Sequence, residues 1–235
     1  METSNNYIIS VIVTIHKTSI FLKDIRKTIN AASTSVEVIY VIDEKIKDMI
    51  IKPNQNEQIV IVKNVSRGFT LAEGLKKARG EIVVFLHSDT LLPSGWDVII
   101  RNVMKDKKVI GGGFSLQFEK EHFFLTILIL FSNLLFYLSR ELWGDRAIFV
   151  RSKQLKSNIS VLSVPIMEDV RVSYWMKKNG TVVLLKSKVT TSSETFFKYG
   201  FIHNTIRIIK ARIWYLVGHD PQKIYDYYYP KNKLL

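Results

Sequence analysis

Apolar residues in this chain fall into short unbroken runs separated by stretches with helical spacing. IISVIVTI (residues 8–15) and VEVIYVID (36–43) are continuous and rich in β-branched residues, the pattern of strands covered on both faces. Between them Thr18 or Ser19 offers a helix cap. Phe21 or Leu22, Ile25 and Ile29 then recur at helical spacing, with Lys23, Asp24, Arg26 and Lys27 facing outward. A third strand is predicted at IVIVK (59–63), then a helix with Leu71, Leu75 and Ala78 on one face, then a fourth strand within EIVVFLHSDT (81–90). Strands alternating with helices predict an α/β fold with a Rossmann-like, mostly parallel sheet flanked by helices, because each crossover must return the chain to the same end.

Two later segments carry a different pattern. FFLTILILFSNLLFYL (123–138) is apolar except for Thr126, Ser132 and Asn133. It falls short of the roughly 20 residues a spanning helix needs, which leaves a helix in a membrane interface, one docked under a lipid chain, or one in the core. Ile202, Ile206, Ile209, Ile213 and Leu216 make a single apolar stripe, flanked by Lys210 and Arg212 at about 80° on either side. Trp214, Tyr215 and the tyrosines from 225 to 229 add aromatics suited to an interface. The expected organisation is one domain over 7–195 and a basic, amphipathic C-terminal helical region over 196–235, packed on that domain or on a membrane surface.

Composition narrows the chemistry. A length of 235 residues suits a single core, and the absence of cysteine excludes disulfides, thiolate zinc, iron–sulfur clusters and a cysteine nucleophile. The net charge of +13 points to an anionic partner, and it is densest in residues 198–235, with seven basic side chains against two acidic ones. The opening METSNNY has neither a basic nor an apolar leader region, so the expected place is the cytoplasm, at the inner face of the cell membrane.

In open α/β sheets ligands sit beyond the carboxyl ends of the strands. The polar residues there are His16 and Lys17, Asp43, Ser66 to Gly68, and His87, Ser88 and Asp89. One strand-ending Asp is commonly a turn residue; Asp43 and Asp89 at one rim beside cations suggest a site. Glu168 and Asp169 open an amphipathic run containing Val172, Trp175 and Met176, where the helix dipole by itself favours acids. In WGDRAIFVR (143–151), Gly144 permits a tight turn carrying Asp145 and Arg146 ahead of a strand with Ile148 and Val150 buried. That turn is expected to aim both charged residues at the cleft, or to be fixed by them as a pair.

ARGEIVVFLHSDTLLPSGW (78–96), WGDRAIFVR and PIMEDVRVSYWMKKNG (165–180), in this order, resemble the family 2 glycosyltransferases of the GT-A fold. More narrowly, they are similar to the branch described as transferase 2, rSAM/selenodomain-associated. The resemblance runs from residue 8 to about residue 228. It implies a nucleotide-sugar donor and a divalent metal, Mg²⁺ or Mn²⁺, which favours oxygen ligands and substrate phosphates. By the same resemblance Asp89 holds the metal, with His87 as a second ligand or a hydrogen-bond donor beside Ser88. Asp43 contacts the base or ribose, with Asp48 as a further acid, and Arg67 and Gly68 form a turn near the phosphates. Asp169 is the general base and Glu168 orients the acceptor. Gly144, Asp145 and Arg146 are expected on the acceptor side, and the amphipathic C-terminal stretch, not the resemblance, suggests an acceptor that is lipid-linked or membrane-resident.

Departures from the family fall on the donor side. Thr14, Ile15, His16, Lys17 and Thr18 replace a Pro-Thr-x-Asn-Glu-like turn, and Ala72 stands where Asn is usual. The rival readings are a nucleotidylyltransferase and a catalytically degenerate basic module that binds anionic lipid or nucleic acid. HKTSIF lacks the glycine-rich phosphate loop of the first. No zinc-finger, RRM or helix-turn-helix signature supports nucleic acid as the partner of the second.

Overall fold

The computed structural model describes residues 7–15, 22–46, 52–63 and 66–229; His16, Lys17, the Thr18 or Ser19 cap, Phe21 and Asp48 lie outside the described residues. The first half alternates as the hydrophobic pattern requires: β1 (Ile9–Ile15), α1 (Leu22–Asn30), β2 (Val36–Asp43), β3 (Glu57–Val62), α2 (Arg67–Lys77) and β4 (Ile82–His87). Strand β3 begins two residues before the apolar run. The buried Glu57 is drawn into it by Arg26, whose Nε donates to Glu57 Oε1 at 2.8 Å.

The second half contributes β5 (Thr90–Leu91), α3 (Trp96–Met104), β6 (Val109–Phe118), α4 (Phe123–Ser139), β7 (Phe149–Arg151), α5 (Ser152–Lys156), α6 (Glu168–Asn179) and β8 (Thr181–Thr191), followed by α7 (Glu194–Tyr199), α8 (Phe201–Leu216) and α9 (Pro221–Tyr228). All strands join one sheet in the order β3-β2-β1-β4-β7-β6-β8-β5. β1 to β4 are parallel, β7 runs against both β4 and β6, β6 and β8 are parallel, and β5 opposes β8. The carboxyl ends of β1, β2, β3, β4, β6 and β8 therefore share one rim.

Alternate side chains of the central strands fill two cores. Val11, Val13 and Val84 pack with Ile25, Ile29, Trp96 and Ile100 of α1 and α3 on one face. Ile12, Val41, Val83 and Phe85 pack with Leu71, Leu75, Val172 and Met176 of α2 and α6 on the other. This double cover explains why β1 and β2 are apolar at nearly every position.

The apolar helix α4 lies on the surface and buries only Leu125, Leu128, Ser132 and Phe136; Leu130 and Leu138 are 62% and 73% exposed. In α8 the buried residues are Asn204 and Ala211, while the stripe from Ile202 to Leu216 faces outward. No helix among the described residues is long and apolar enough to cross a membrane.

Asp97, in the first turn of α3, accepts hydrogen bonds from Ser33 N (2.9 Å), Ser33 Oγ (3.0 Å) and Thr34 N (3.0 Å), tying the α1–β2 loop to the helix. Burial alone would raise its pKa. The hydrogen bonds from Ser33 and Thr34 outweigh burial and hold the carboxyl below its ordinary value. Its contribution is therefore present above the unfolded-state pKa and lost as pH falls through the folded one. Asp97→Ala is expected to cost about 2 kcal/mol at neutral pH and less in acid, measured by urea unfolding across pH.

Candidate active site

Strand register places the first group of polar residues. Thr14 of β1 lies opposite both Val41 of β2 and His87 of β4. Asp43 ends β2 two residues past that level and Asp89 lies in the turn two residues past the end of β4, so both leave the same rim of the sheet, with β1 between their strands. Asp43 Oδ1 accepts the Lys45 N–H at 3.0 Å. Asp89 Oδ1 lies 3.4 Å from Thr90 Oγ1, and the Asp89 carbonyl accepts Ser192 N–H at 3.1 Å, joining this end of β4 to the end of β8. Ser88, between His87 and Asp89, is half-buried.

The second group arrives on two left-handed turns. Ala147, at φ 46°, ends the 144–146 turn, and Met167, at φ 65°, immediately precedes α6. Neither is glycine, and such conformations cost of order 1–3 kcal/mol each, which the surrounding contacts must offset. The Met167 turn brings Glu168 and Asp169 to the first turn of α6. Asp169 Oδ2 accepts the Gly144 N–H at 2.9 Å, and its Oδ1 accepts the N–H of Val170 at 2.8 Å. Both oxygens are thus oriented, and each retains a lone pair.

Between the two groups sits Arg67, at the start of α2. Its Nε lies 2.6 Å from Glu168 Oε1, and the Glu168 side chain is only 4% exposed. Burial disfavours the Arg67 charge, but Glu168, then Asp169, and also Asp145, more than reverse this and raise its pKa. Burial pushes the Glu168 carboxyl up; Arg67 opposes the shift and Asp169 adds to it. Asp145 Oδ1 is 3.9 Å from His87 Nε2, so the 144–146 turn touches α6 on one side and the end of β4 on the other. A cavity of about 120 Å³ lies among Arg67, Gly144, Asp145, Glu168 and Asp169, bounded by Tyr228 and Tyr229 at the end of α9.

Arg67, His87, Gly144, Asp145, Glu168 and Asp169 thus converge, with Asp43, Ser88 and Asp89 along the adjoining rim. Arg146 departs from the expected arrangement, because the turn separates it from Asp145. Its fully buried guanidinium passes beneath α4, donating to Phe114 O (3.2 Å), Ser132 Oγ (2.5 Å) and Asn133 Oδ1 (2.7 Å). Burial lowers its pKa to about 10. Gly68 also has an internal role: a Cβ there would strike the carbonyls of Leu162 and Val164.

Trp143, Tyr228 and Tyr229 also line the cavity, although the sequence pattern had marked the tyrosines only as interfacial. The signal for their placement was Asp220-Pro221, a cap followed by proline at the first helical position. Asp220 Oδ1 accepts Gln222 N–H at 2.8 Å, and the helix it starts buries Ile224 against Ile166 and Ala211, which turns Tyr228 and Tyr229 inward.

Metal binding can be judged from the donor set. No cluster of three or more His, Asp or Glu side chains suited to a metal occurs among the described residues. His87 and Asp89 at the end of one strand offer one nitrogen and one carboxylate. The carboxylate fits a Mg²⁺- or Mn²⁺-type ion, which commonly takes one or two carboxylates and completes its shell with water and substrate phosphates. The imidazole, a ligand such ions take less readily, can serve as a nitrogen ligand or as a hydrogen-bond donor.

Neither a protein-family model nor a curated protein sequence matches the chain. Solved structures do. Mannosyltransferase PcManGT from Pyrobaculum calidifontis, in complex with GDP-Man and Mn²⁺, superposes with a TM-score of 0.63 at 13% identity over 88% of this chain and 62% of that one. S. aureus TarS superposes with a TM-score of 0.59 at 15% identity over 88% of this chain, which spans 40% of TarS. The 4-diphosphocytidyl-2C-methyl-D-erythritol synthase from Anaerococcus prevotii gives 0.53 at 13% identity, over 77% and 87% of the respective chains. At these identities the likeness establishes the fold: a GT-A-like α/β sheet with a C-terminal helical extension.

A Cβ on Gly144 would collide with the Arg67 guanidinium and lie 3.1 Å from His87 Nε2. Gly144→Ala is expected to destabilise the protein by about 1–3 kcal/mol. Arg146→Ala, which leaves Phe114 O and Ser132 without their donor, should cost about 3 kcal/mol. Urea unfolding checks both.

Proposed function

We propose that this chain moves a sugar from a nucleoside-diphosphate donor to an acceptor hydroxyl, with inversion at the anomeric carbon. The acceptor oxygen attacks that carbon on the face opposite the diphosphate. The new C–O bond forms as the bond to the β-phosphate oxygen breaks, the electron pair leaves with the nucleoside diphosphate, and the hydroxyl proton passes to Asp169. The observation that carries this reading is the bridge between the end of β4 and the start of α6: Gly144 N–H on Asp169 and, one residue later, Asp145 beside His87.

Each residue has a place in this mechanism. Asp169, oriented by two backbone N–H groups, keeps the lone pairs a general base uses, a role worth ~10²- to 10⁴-fold in rate. Glu168 spends its charge on Arg67 and so fixes the turn that aims Asp169. In this reading the charge of Arg67 and the imidazole of His87 serve the diphosphate, Asp43 serves the base or ribose, and Ser88 lies on the donor side. Asp89 with His87 would hold the divalent cation, which when bound neutralises charge building on the leaving group. Residues 7–195 carry the chemistry in this reading, and Tyr228 and Tyr229 of the C-terminal region close over it. The same reading has the protein working in the cytoplasm, peripheral at the inner face of the cell membrane; the outward-facing apolar residues of α4 and α8 and the basic C-terminal region support the membrane contact.

The fold likeness to PcManGT with GDP-Man and Mn²⁺, and to TarS 1–349 solved with UDP-GlcNAc at 16% identity, supports a nucleotide-sugar donor. The erythritol-synthase neighbour keeps nucleotidyl transfer as the second reading, but HKTSIF after β1 contains no glycine with which to cradle phosphates.

UDP or GDP with Mn²⁺ is expected to raise the thermal midpoint, and EDTA to remove the effect. Asp89→Ala should abolish this metal-dependent protection. Asp169→Asn should keep it while lowering transfer ~10²- to 10⁴-fold; the opposite pattern would overturn the assignment. Salt-sensitive binding to random oligonucleotides without nucleotide protection would favour the basic module instead.

A further inference from the structure

We propose that the groove between α4 and α8 seats the hydrocarbon chain of a lipid acceptor whose head-group hydroxyl reaches Asp169. This rests on the transferase reading above and names its acceptor class. The groove has a volume of about 360 Å³, within the range of about 300–1,000 Å³ typical of small-molecule sites. Phe124 and Phe131 of α4 face Ile206 and Ile209 of α8 across it, and all four are partly open to solvent, Ile206 being 57% exposed.

Its inner end decides what it can hold. Trp143, Ile208 and Arg212 line this groove and also the polar cavity of Asp169 and Glu168. An occupant lying along the groove therefore presents one end to the general base and the other to the surface between two apolar helices. That is the outline of a single-chain amphiphile. Arg212 stands at the junction, paired with Glu141.

Charge argues against a second copy of the chain as the occupant. α4 carries no charged residue, and α8 carries Arg207, Lys210 and Arg212 with no acid. Arg212 is paired with Glu141 and Arg207 packs over Tyr228, so Lys210 is the exposed cation among the three. Two copies meeting through α8 would bring their Lys210 side chains together with no acid of α4 or α8 to offset them, whereas a lipid drawn from an anionic membrane surface meets this cation favourably. The reaction itself is unchanged: the lipid hydroxyl gives its proton to Asp169 as its oxygen takes the anomeric carbon and the nucleoside diphosphate departs.

The test uses 1-O-alkyl glycerols of eight, ten and twelve carbons, below their micelle-forming concentrations, with the intact protein. Affinity is expected to rise by about fourfold per added CH₂ and to level off once the groove is filled. A chain-brominated analogue should quench tryptophan fluorescence, and Trp143→Phe should remove most of that quenching. Ile206→Asp, a change at an exposed position, should weaken binding at least tenfold while leaving Mn²⁺-dependent protection by UDP or GDP intact. Co-sedimentation with anionic vesicles but no quenching by the monomeric probe would make the face a bilayer contact only and overturn the proposal. So would concentration-dependent dimerisation that Ile206→Asp abolishes, or no alkyl binding at all. Chain-length-dependent binding without any nucleotide protection would instead sink the transferase reading and leave the alkyl seat standing.

Discussion

Three carboxylates, Asp145, Glu168 and Asp169, crowd one end of the sheet, and such a cluster is held together only if a cation is built in. Arg67 is that cation. Its contact with Glu168 joins the first turn of α2 to the first turn of α6, and the Gly144 turn closes against the guanidinium from the far side. Removing one partner from a buried pair leaves the other uncompensated at a cost of about 3–5 kcal/mol. The geometry of the cleft is therefore set by internal electrostatics, before any substrate arrives.

That arrangement gives the two neighbouring acids different surroundings. Glu168 is buried and committed to Arg67. Asp169 is half-buried and held by main-chain N–H groups from two segments, which orient it without neutralising it. One residue of helical rotation, after the left-handed Met167, separates the carboxylate paired with Arg67 from the one held by main-chain N–H groups.

Much of this was legible in the sequence, and the rest was hidden for identifiable reasons. β-branched runs gave β1, β2 and β4 almost to the residue, and paired acids marked the start of α6. β6 was hidden because Gly111, Gly112 and Gly113 interrupt its apolar pattern; added Cβ atoms at the first two would strike the backbones of β7 and β8. The direction of Arg146 could not be read, since its partners Phe114, Ser132 and Asn133 lie on elements whose meeting only the sheet order determines. Tyr228 and Tyr229 were visible as aromatics but not as residues bounding the site, because their placement depends on where α9 folds back.

The strand order has a kinetic corollary. β1 lies between β2 and β4, and β6 pairs with β8 from about seventy residues away, so few of the sheet's contacts are local. The Arg67–Glu168 pair closes a loop of about a hundred residues. Chains dominated by such distant pairings fold in milliseconds to seconds rather than microseconds, because loop entropy is lost before the contacts that reward it exist. The cleft is accordingly a late product of folding, absent from any intermediate in which only the first four strands have assembled.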